Sequence, residues 1–354
     1  MRSHLARQAL VLAPALVAGL YVLGLFGWWA ASSRFGDRWL WLFLLNCVAV
    51  YLFLPLPLVL LIAALSPNLL LRLGAALALL LFLALYGRLF LPRPPAPPAN
   101  PSLTVMTYNV LAFNPRPDAV AETIAHADAD VVALQELSTP IADALQARLA
   151  TRYPYHIVAE GRGVRGMGVW SRYPLRDTGQ RLAGPWLSEP QVLEVAHPEV
   201  SVTLINVHNR SLDISSPGWP ARLHLSAPDR EAAARSLVAF AQAHPGPLVV
   251  LGDFNATDQS RAYRLLRGAL RDAWREAGFG LGHTFPGTNG SGSGPPHLGA
   301  RQLPSWLARI DYVFHSPNLQ TLEVRIGPWD GGSDHRPVLA RLDLAPERRA
   351  TGDQ

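Results

Sequence analysis

The 354-residue chain holds one cysteine, Cys47, which excludes an internal disulfide and a cysteine-built metal site. Its formal charge of +5 is unevenly placed: residues 1–100 carry seven Arg and one acid (Asp37), the remainder 24 Arg against 25 acids. The larger part therefore lacks the basic surplus that holds nucleic acid to a protein surface.

In chain order, Ala9 to Ala31 is a run of 23 residues without a charge, preceded by Arg2 and Arg7. It is long enough to span a bilayer and longer than the apolar part of a signal peptide. Trp39 to Leu65 is a second apolar run, with Trp39 and Trp41 where an interfacial belt would sit and a kink expected at Pro55 and Pro57. Leu69 to Leu91 is the third, with Arg72 near enough to its start to snorkel. None of the three shows a polar face at helical spacing, so residues 1–91 read as an anchor of about three membrane spans. Residues 92–101 hold six prolines in ten positions and read as a semi-rigid extended spacer.

From residue 102 to 344 the texture becomes alternating strands and helices. Strands are expected at Leu103–Asn109, Asp130–Glu136, Gly166–Pro174 (running into a turn), Val192–Ala196, Val200–His208, Leu248–Leu251, Arg309–Phe314 and Val338–Leu342. Helices are expected at Asp118–Ala127, Pro140–Ala150 and Arg261–Leu270, with another over Asp229–Ala243 capped by Asp229 after Pro228. Gly278–Gly299 is a long Gly/Pro/Ser-rich loop, and 345–354 is a polar tail.

Residues able to bind a metal or move a proton stand at one strand end after another: Asn109, Glu136, His208, Asp253 and Asn255. Asp311 lies within a later strand, and Asp334 and His335 just precede the last. Strand ends are where α/β folds assemble sites. A carboxylate and an amide two residues apart, as in Gly252-Asp253-Phe254-Asn255, suit an oxygen-seeking cation or a water awaiting deprotonation.

The motifs Tyr108-Asn109, Gln135-Glu136, Gly252-Asp253-Phe254-Asn255, Arg309-Ile310-Asp311-Tyr312 and Ser333-Asp334-His335 resemble, in order and spacing, those of the endonuclease/exonuclease/phosphatase superfamily. That superfamily includes DNase I-like nucleases, apurinic endonucleases, neutral sphingomyelinases and inositol polyphosphate 5-phosphatases. The resemblance covers residues 101–343. It implies an α/β fold, a four-layer α-β-β-α sandwich, and divalent-metal-dependent cleavage of phosphoester bonds with Mg²⁺, or Mn²⁺ in its place. By the same resemblance Glu136 is the principal metal ligand, helped by Asn109 and Asp334. Asp253 orients or deprotonates the attacking water, and Asn255 touches a phosphate oxygen. His335 stabilises developing charge with its tautomer fixed by Asp311, and His208 is the candidate proton donor to the leaving oxygen.

Arg172, after the strand at 166–174, and Arg210, two residues past His208, are the candidate substrate contacts, although exposed arginines are more often plain surface. Trp186, Trp219 and Trp306 in long loops are read as packing or rim residues, and the remaining histidines as surface or loop residues. The strand at Gly166-Met167 lacks the Asn often found there, and residues 209–228 match no branch of the superfamily. The expected enzyme is thus a membrane-embedded hydrolase acting on a phosphorylated substrate, lipid-linked or nucleic acid. Some bacterial members with this layout look like undecaprenyl-pyrophosphate phosphatases and others only like nucleases; the former resemblance favours a lipid pyrophosphate and an extracytoplasmic catalytic domain on a multi-pass cytoplasmic-membrane anchor. The alternatives are an anchored nuclease acting on DNA or RNA and, from another class, an inactive anchored binding module. The complete acid and imidazole set argues against the last.

Overall fold

The computed structural model describes residues 2–93, 101–159, 161, 163–211, 219–287, 297–298, 301–302, 304–327 and 331–344. Most of the proline-rich spacer, residues 288–296 of the 278–299 loop and the polar tail lie outside the described residues. The chain divides into two compact units, Met1–Leu91 with Gln259–Arg261, and the remainder.

The first unit is helical: α1 (Arg2–Phe35), α2 (Leu40–Cys47), α3 (Leu56–Leu65) and α4 (Leu69–Tyr86). Small side chains let the helices meet, as where Val22 closes on Gly74. The outward side is leucine, with Leu16, Leu20, Leu23, Leu58, Leu61, Leu73, Leu77 and Leu80 all exposed. Water disfavours a surface of this kind and hydrocarbon does not. Two helical stretches, Ala13–Phe35 and Leu69–Phe90, are long and apolar enough to cross a membrane. The run expected as the middle span is a pair, Leu40–Cys47 and Ala49–Leu65, bent by 78°, which makes three crossings if the pair is one broken span and two if it is re-entrant. The break comes at Val48 (φ −115°, ψ 22°), upstream of the prolines expected to cause it. Pro55 and Pro57 lie at the start of α3, where a missing N–H costs nothing. Just before the break, Asn46 is fully engaged, accepting from Trp28 Nε1 at 3.0 Å and donating to Asp37 at 2.6 Å.

The second unit contains β1 (Ser102–Asn109), α5 (Pro117–Ala127), β2 (Val131–Gln135), α6 (Thr139–Leu149), β3 (Tyr155–Ala159), β4 (Met167–Ser171), β5 (Leu175–Asp177), β6 (Ser188–Ala196) and β7 (Ser201–His208). It continues with α7 (Trp219–Ala243), β8 (Leu248–Asp253), α8 (Arg261–Arg267), β9 (Arg271–Asp272), α9 (Ala273–Ala277), β10 (His297–Leu298), β11 (Arg301–Gln302), β12 (Asp311–His315), β13 (Gln320–Ile326) and β14 (Val338–Asp343). Two mixed six-stranded sheets result, ordered β13-β14-β1-β2-β4-β3 and β5-β6-β7-β8-β12-β9. Each has one parallel pair at its centre, β1/β2 and β7/β8, and is antiparallel elsewhere.

Strand alternation sorts the layers. Met106, Tyr108, Val132 and Leu134 pack outward against Val120 and Ile124 of α5 and Ile141 and Leu145 of α6. On the second sheet Ile205, Val207, Leu248, Val250, Tyr312 and Phe314 pack against Ala234 and Leu237 of α7 and Tyr263 and Leu266 of α8. The intervening residues face the other sheet, and the four-layer sandwich follows. Helix α7 differs from expectation: it runs through Pro228, which removes a hydrogen bond inside the helix and does not start it. Asp229 caps nothing and pairs with Arg210 at 3.3 Å.

Candidate active site

Asn109, Gln135, His208, Asp253 and Asp311 are all inward-facing by the same alternation, and all stand at one end of the sandwich. The register brings them level: Asn109 lies beside Gln135, His208 beside Asp253, and Asp253 beside Asp311. Glu136 follows Gln135 directly, with a left-handed backbone (φ 56°) that turns its side chain in towards the cluster. Asn255 (φ 48°) does the same after Asp253. Such conformations cost about 1–3 kcal/mol each and persist where surroundings over-determine them. Gly252 (φ 148°) is required by close approach, since a Cβ there would lie 2.0 Å from the Val207 carbonyl oxygen.

The side chains form one connected group. Asn109 Nδ2 donates to Glu136 Oε1 at 3.2 Å and, across the two sheets, to Asp253 Oδ2 at 3.1 Å. Glu136 Oε2 accepts from the Ala112 N–H at 3.1 Å. Asp253 also accepts from the Asn255 N–H at 2.8 Å and from its Nδ2 at 3.1 Å. His335 Nδ1 donates to Asp311 at 2.9 Å, and its Nε2 stands 3.9 Å from Asp253 Oδ2. Its ring packs on Phe285, 4.9 Å between centroids. Ser333 ties the last motif to the first, donating to the Asn109 carbonyl at 2.7 Å while accepting from the His335 N–H at 3.1 Å.

Burial sets the charges. It pushes the Asp253 carboxyl up to about 7, against the pull of His335 and with the help of Asp311. Burial likewise raises Glu136, against the hydrogen bonds from Ala112 and Asn109. Burial alone would strip the proton from His335, but the carboxylates of Asp311 and Asp253 outweigh it and hold the imidazolium well above its ordinary range. Burial, reinforced by the charge on His335, pushes His208 down to about 3. That shift favours the neutral imidazole at His208. Neither of its ring nitrogens has a hydrogen-bond partner among the described residues, and Nε2 lies 3.8 Å from Glu136 Oε1 and 3.7 Å from Asp253 Oδ2.

Asn109 meets the carboxylates with its amide nitrogen, while its oxygen accepts from the Leu111 N–H at 3.1 Å. One expectation is corrected, the Arg172 substrate contact. Arg172 lies at the far end of the sheet, beside the start of β2, where it pairs with Asp130 at 3.0 Å and with Asp128. Arg210 is half-exposed and held by Asp229 and the Pro185 carbonyl. Trp186 is packing, its Nε1 bonded to the Leu182 carbonyl at 2.8 Å, and Trp306 lies under Arg336, 3.8 Å from guanidinium carbon to ring centroid.

Support that the sequence reading passed over lies beneath the cluster. Gln135 Nε2 donates to Asn206 Oδ1 at 2.7 Å, and Asn206 Nδ2 donates to Gln191 at 2.9 Å and to the Leu134 carbonyl at 3.1 Å, so a buried amide bridge joins the sheets. An amide inside the apolar run Leu204-Ile205-Asn206-Val207 was the available signal. Arg309 is buried on Asp272 at 2.8 Å and stacks over Tyr312, anchoring the chain just before Asp311. His315, expected at the surface, is buried at the other end of β12 against Glu276 and Thr321.

The donor set fits a divalent cation. Oxygen atoms of Glu136 and Asp253 converge with an unpartnered neutral imidazole, and Asp334 lies close enough to raise Glu136 electrostatically. Asp253, Asp311 and His335 also offer atoms within 4.8 Å of one another. In that trio the Asp311 carboxylate is already occupied by the His335 ring N–H, which makes the Glu136 side the better cradle.

A model of the endonuclease/exonuclease/phosphatase family matches residues 106–335, more than half of the chain. Among solved structures, an endonuclease/exonuclease/phosphatase from Beutenbergia cavernae DSM 12333 is 21% identical, with a TM-score of 0.50 over 69% of this chain and 72% of that one. A protein of the same description from Bacteroides vulgatus is 20% identical, with a TM-score of 0.50 over 69% of this chain and 99% of that one. Truncated Caenorhabditis elegans TDP2 is 17% identical, with a TM-score of 0.51 over 69% of this chain and 99% of that one. At these identities the likeness is one of fold. No curated protein matches the sequence.

Proposed function

The chain belongs to the endonuclease/exonuclease/phosphatase family, and from that premise we propose that it is a membrane-anchored, divalent-metal-dependent phosphoesterase acting on a lipid-linked phosphate ester or pyrophosphate, such as undecaprenyl pyrophosphate. The observation that carries the chemistry is the convergence of Glu136, Asp253 and an unpartnered His208 within 4 Å, beside the Asp311–His335 pair. Glu136 and Asp334 would hold the cation, Mg²⁺ by the oxygen character of the set. When bound, it supplies Lewis-acid stabilisation of phosphoryl oxygens.

The remaining roles follow from the side chains themselves. Asp253 is fixed by Asn109 and Asn255 so that a free lone pair can orient a water and take its proton as the water oxygen attacks phosphorus. His335 carries a proton held by Asp311 and presents Nε2 to the charge that develops on the phosphoryl oxygens. His208, neutral, offers an N–H as a hydrogen-bond donor to a phosphate or leaving oxygen. Asn109 steadies both carboxylates, and Asn255 completes the donors facing the anion.

The lipid assignment is supported by two helices apolar enough to cross a membrane and by the near-balanced charge after residue 100. A proline-rich segment of ten residues reaches at most roughly 30 Å at about 3.1 Å each, so a phosphate at the headgroup layer is within range. The test is hydrolysis by the full chain in detergent micelles with Mg²⁺, comparing a polyprenyl pyrophosphate, inositol phosphates and plasmid DNA at physiological salt. The lipid pyrophosphate should be cleaved fastest, and chelator should abolish cleavage. Much faster cleavage of DNA would replace this reading with an anchored nuclease.

A further inference from the structure

The mouth of the cluster is built by two loops to which the chemistry above assigns nothing. The first, residues 110–116, follows β1. Its Ala112 N–H is bonded to Glu136, and the next residue, Phe113, stands 78% exposed. The second is the turn Gly163–Arg165 before β4. It leads into Gly166, whose carbonyl accepts from the Leu137 N–H at 2.9 Å, one residue past Glu136. Its Val164 is exposed, and the Val164 main chain lies close to the His208 ring, short of hydrogen-bond geometry. The two loops meet, since a Cβ on Gly163 would stand 4.0 Å from Phe113 Cζ.

Single exposed apolar residues are ordinary. These two matter because each sits on a loop that touches Glu136 or His208, and because of their companions. Arg116 and Arg165, on the same loops, are exposed, and no carboxylate pairs with either among the described residues. Arg148, Arg152, Arg172, Arg176 and Arg181, by contrast, all have acidic partners. Arg116 reaches back over the last motif: a Cβ on Gly332 would stand 2.8 Å from its Nε, next to Ser333 and Asp334. Apolar groups and free cations therefore share the rim of one phosphoryl site. A nucleic acid would ask for stacking faces and a cationic track; Val164 is aliphatic and the domain has no net positive charge.

We propose that Phe113 and Val164 form an apolar lip that takes the hydrocarbon next to the scissile phosphate of a bilayer-embedded substrate, while Arg116 and Arg165 hold the further anionic oxygens of its headgroup. The inference rests on the phosphoesterase reading and assigns that site its substrate class, an anionic amphiphile.

The experiment uses the full chain in phosphatidylcholine proteoliposomes with Mg²⁺. It compares a long polyprenyl pyrophosphate with dimethylallyl pyrophosphate, which has the same headgroup and a five-carbon chain. Phe113→Ser with Val164→Ser should lower kcat/KM for the long chain by roughly 10- to 100-fold and leave the short chain within about twofold. Arg116→Gln with Arg165→Gln should lower both substrates by one common factor. Independently, Phe113→Cys in a Cys47→Ser background, labelled with bimane, should be quenched by brominated phosphatidylcholine. Equal loss on both pyrophosphates, or no loss on either, overturns the lip, as does loss confined to single-stranded DNA cleavage. If the wild type hydrolyses no substrate, the phosphoesterase reading falls, and bimane quenching alone then decides whether residue 113 meets the bilayer.

Discussion

Asp253 and His335 face each other at 3.9 Å, with the carboxyl pushed up by burial and the imidazolium held by Asp311. Neither is useful alone: a water deprotonated without a cation at the phosphoryl group, or the reverse, leaves the transition state half stabilised. Asp253→Asn and His335→Ala should each lower turnover by roughly 10²- to 10⁴-fold. The double variant should be little worse than either, as for groups acting as a unit. Multiplying losses in steady-state kinetics would contradict a shared role. At this scale the sequence was informative wherever a polar residue interrupts an apolar strand at its end, since alternation then leaves it only the seam between the sheets. It was silent on orientation. Nothing in Tyr108-Asn109 tells that the Leu111 N–H takes the amide oxygen, and nothing near Arg172 tells that Asp128 and Asp130 claim it.

Strands β7, β8 and β12 depend on two local devices. Gly252 lets β8 approach Val207, so Gly252→Ala should cost about 1–3 kcal/mol or more by overpacking at the central seam. A urea titration followed by circular dichroism would measure it, and an unchanged midpoint would contradict the assignment. The second device is the buried pair Asp272–Arg309 at 2.8 Å, with Tyr263 donating to the same carboxylate at 2.5 Å. Asp272→Ala leaves a guanidinium buried and unpaired, and should destabilise by about 3–5 kcal/mol. Burial would raise the Asp272 carboxyl, but Arg309 outweighs it and holds the carboxyl below its ordinary value of 3.8. The unfolded chain therefore takes up this proton first. The stabilisation is complete above about pH 4–5 and is lost as pH falls through the lower folded-state value. Acid titration of stability should show this loss in the wild type and a shallower slope in Asp272→Asn. Element by element, β1, β2, β7 and β8 were legible because apolar runs buried on both faces leave little ambiguity. Edge strand β3 was not, because Tyr155–Ala159 is largely exposed and carries no burial pattern. The start of α7 was misread because Pro228 looks like a helix opening when its preceding turns are ignored.

For the whole molecule, the apolar first unit and the family domain make one proposal about place: an anchored enzyme with its catalytic domain outside the cytoplasm. Arginines near the spans are nearly even, Arg2, Arg7 and Arg72 against Arg34, Arg38, Arg88 and Arg93, so the charge rule does not decide the side. Protease added to intact spheroplasts should remove the domain, and full protection would reverse the orientation. The boundary between the two compact units after Leu91 was legible from the abrupt change at the proline run. The bend at Val48 was not, because it follows from local backbone geometry beside an engaged Asn46 and not from any breaker residue.

The measurement that bears most directly on the account is Mg²⁺-dependent phosphate release by the purified full chain, wild type against Glu136→Gln, across a metal titration. The substitution keeps the size of the side chain and removes its charge, so the fold should persist by circular dichroism. Turnover should fall by roughly 10³-fold or more with a weakened metal dependence. Undiminished turnover in Glu136→Gln, or in the wild type under excess chelator, would contradict a metal-dependent phosphoesterase centre at the seam of the two sheets.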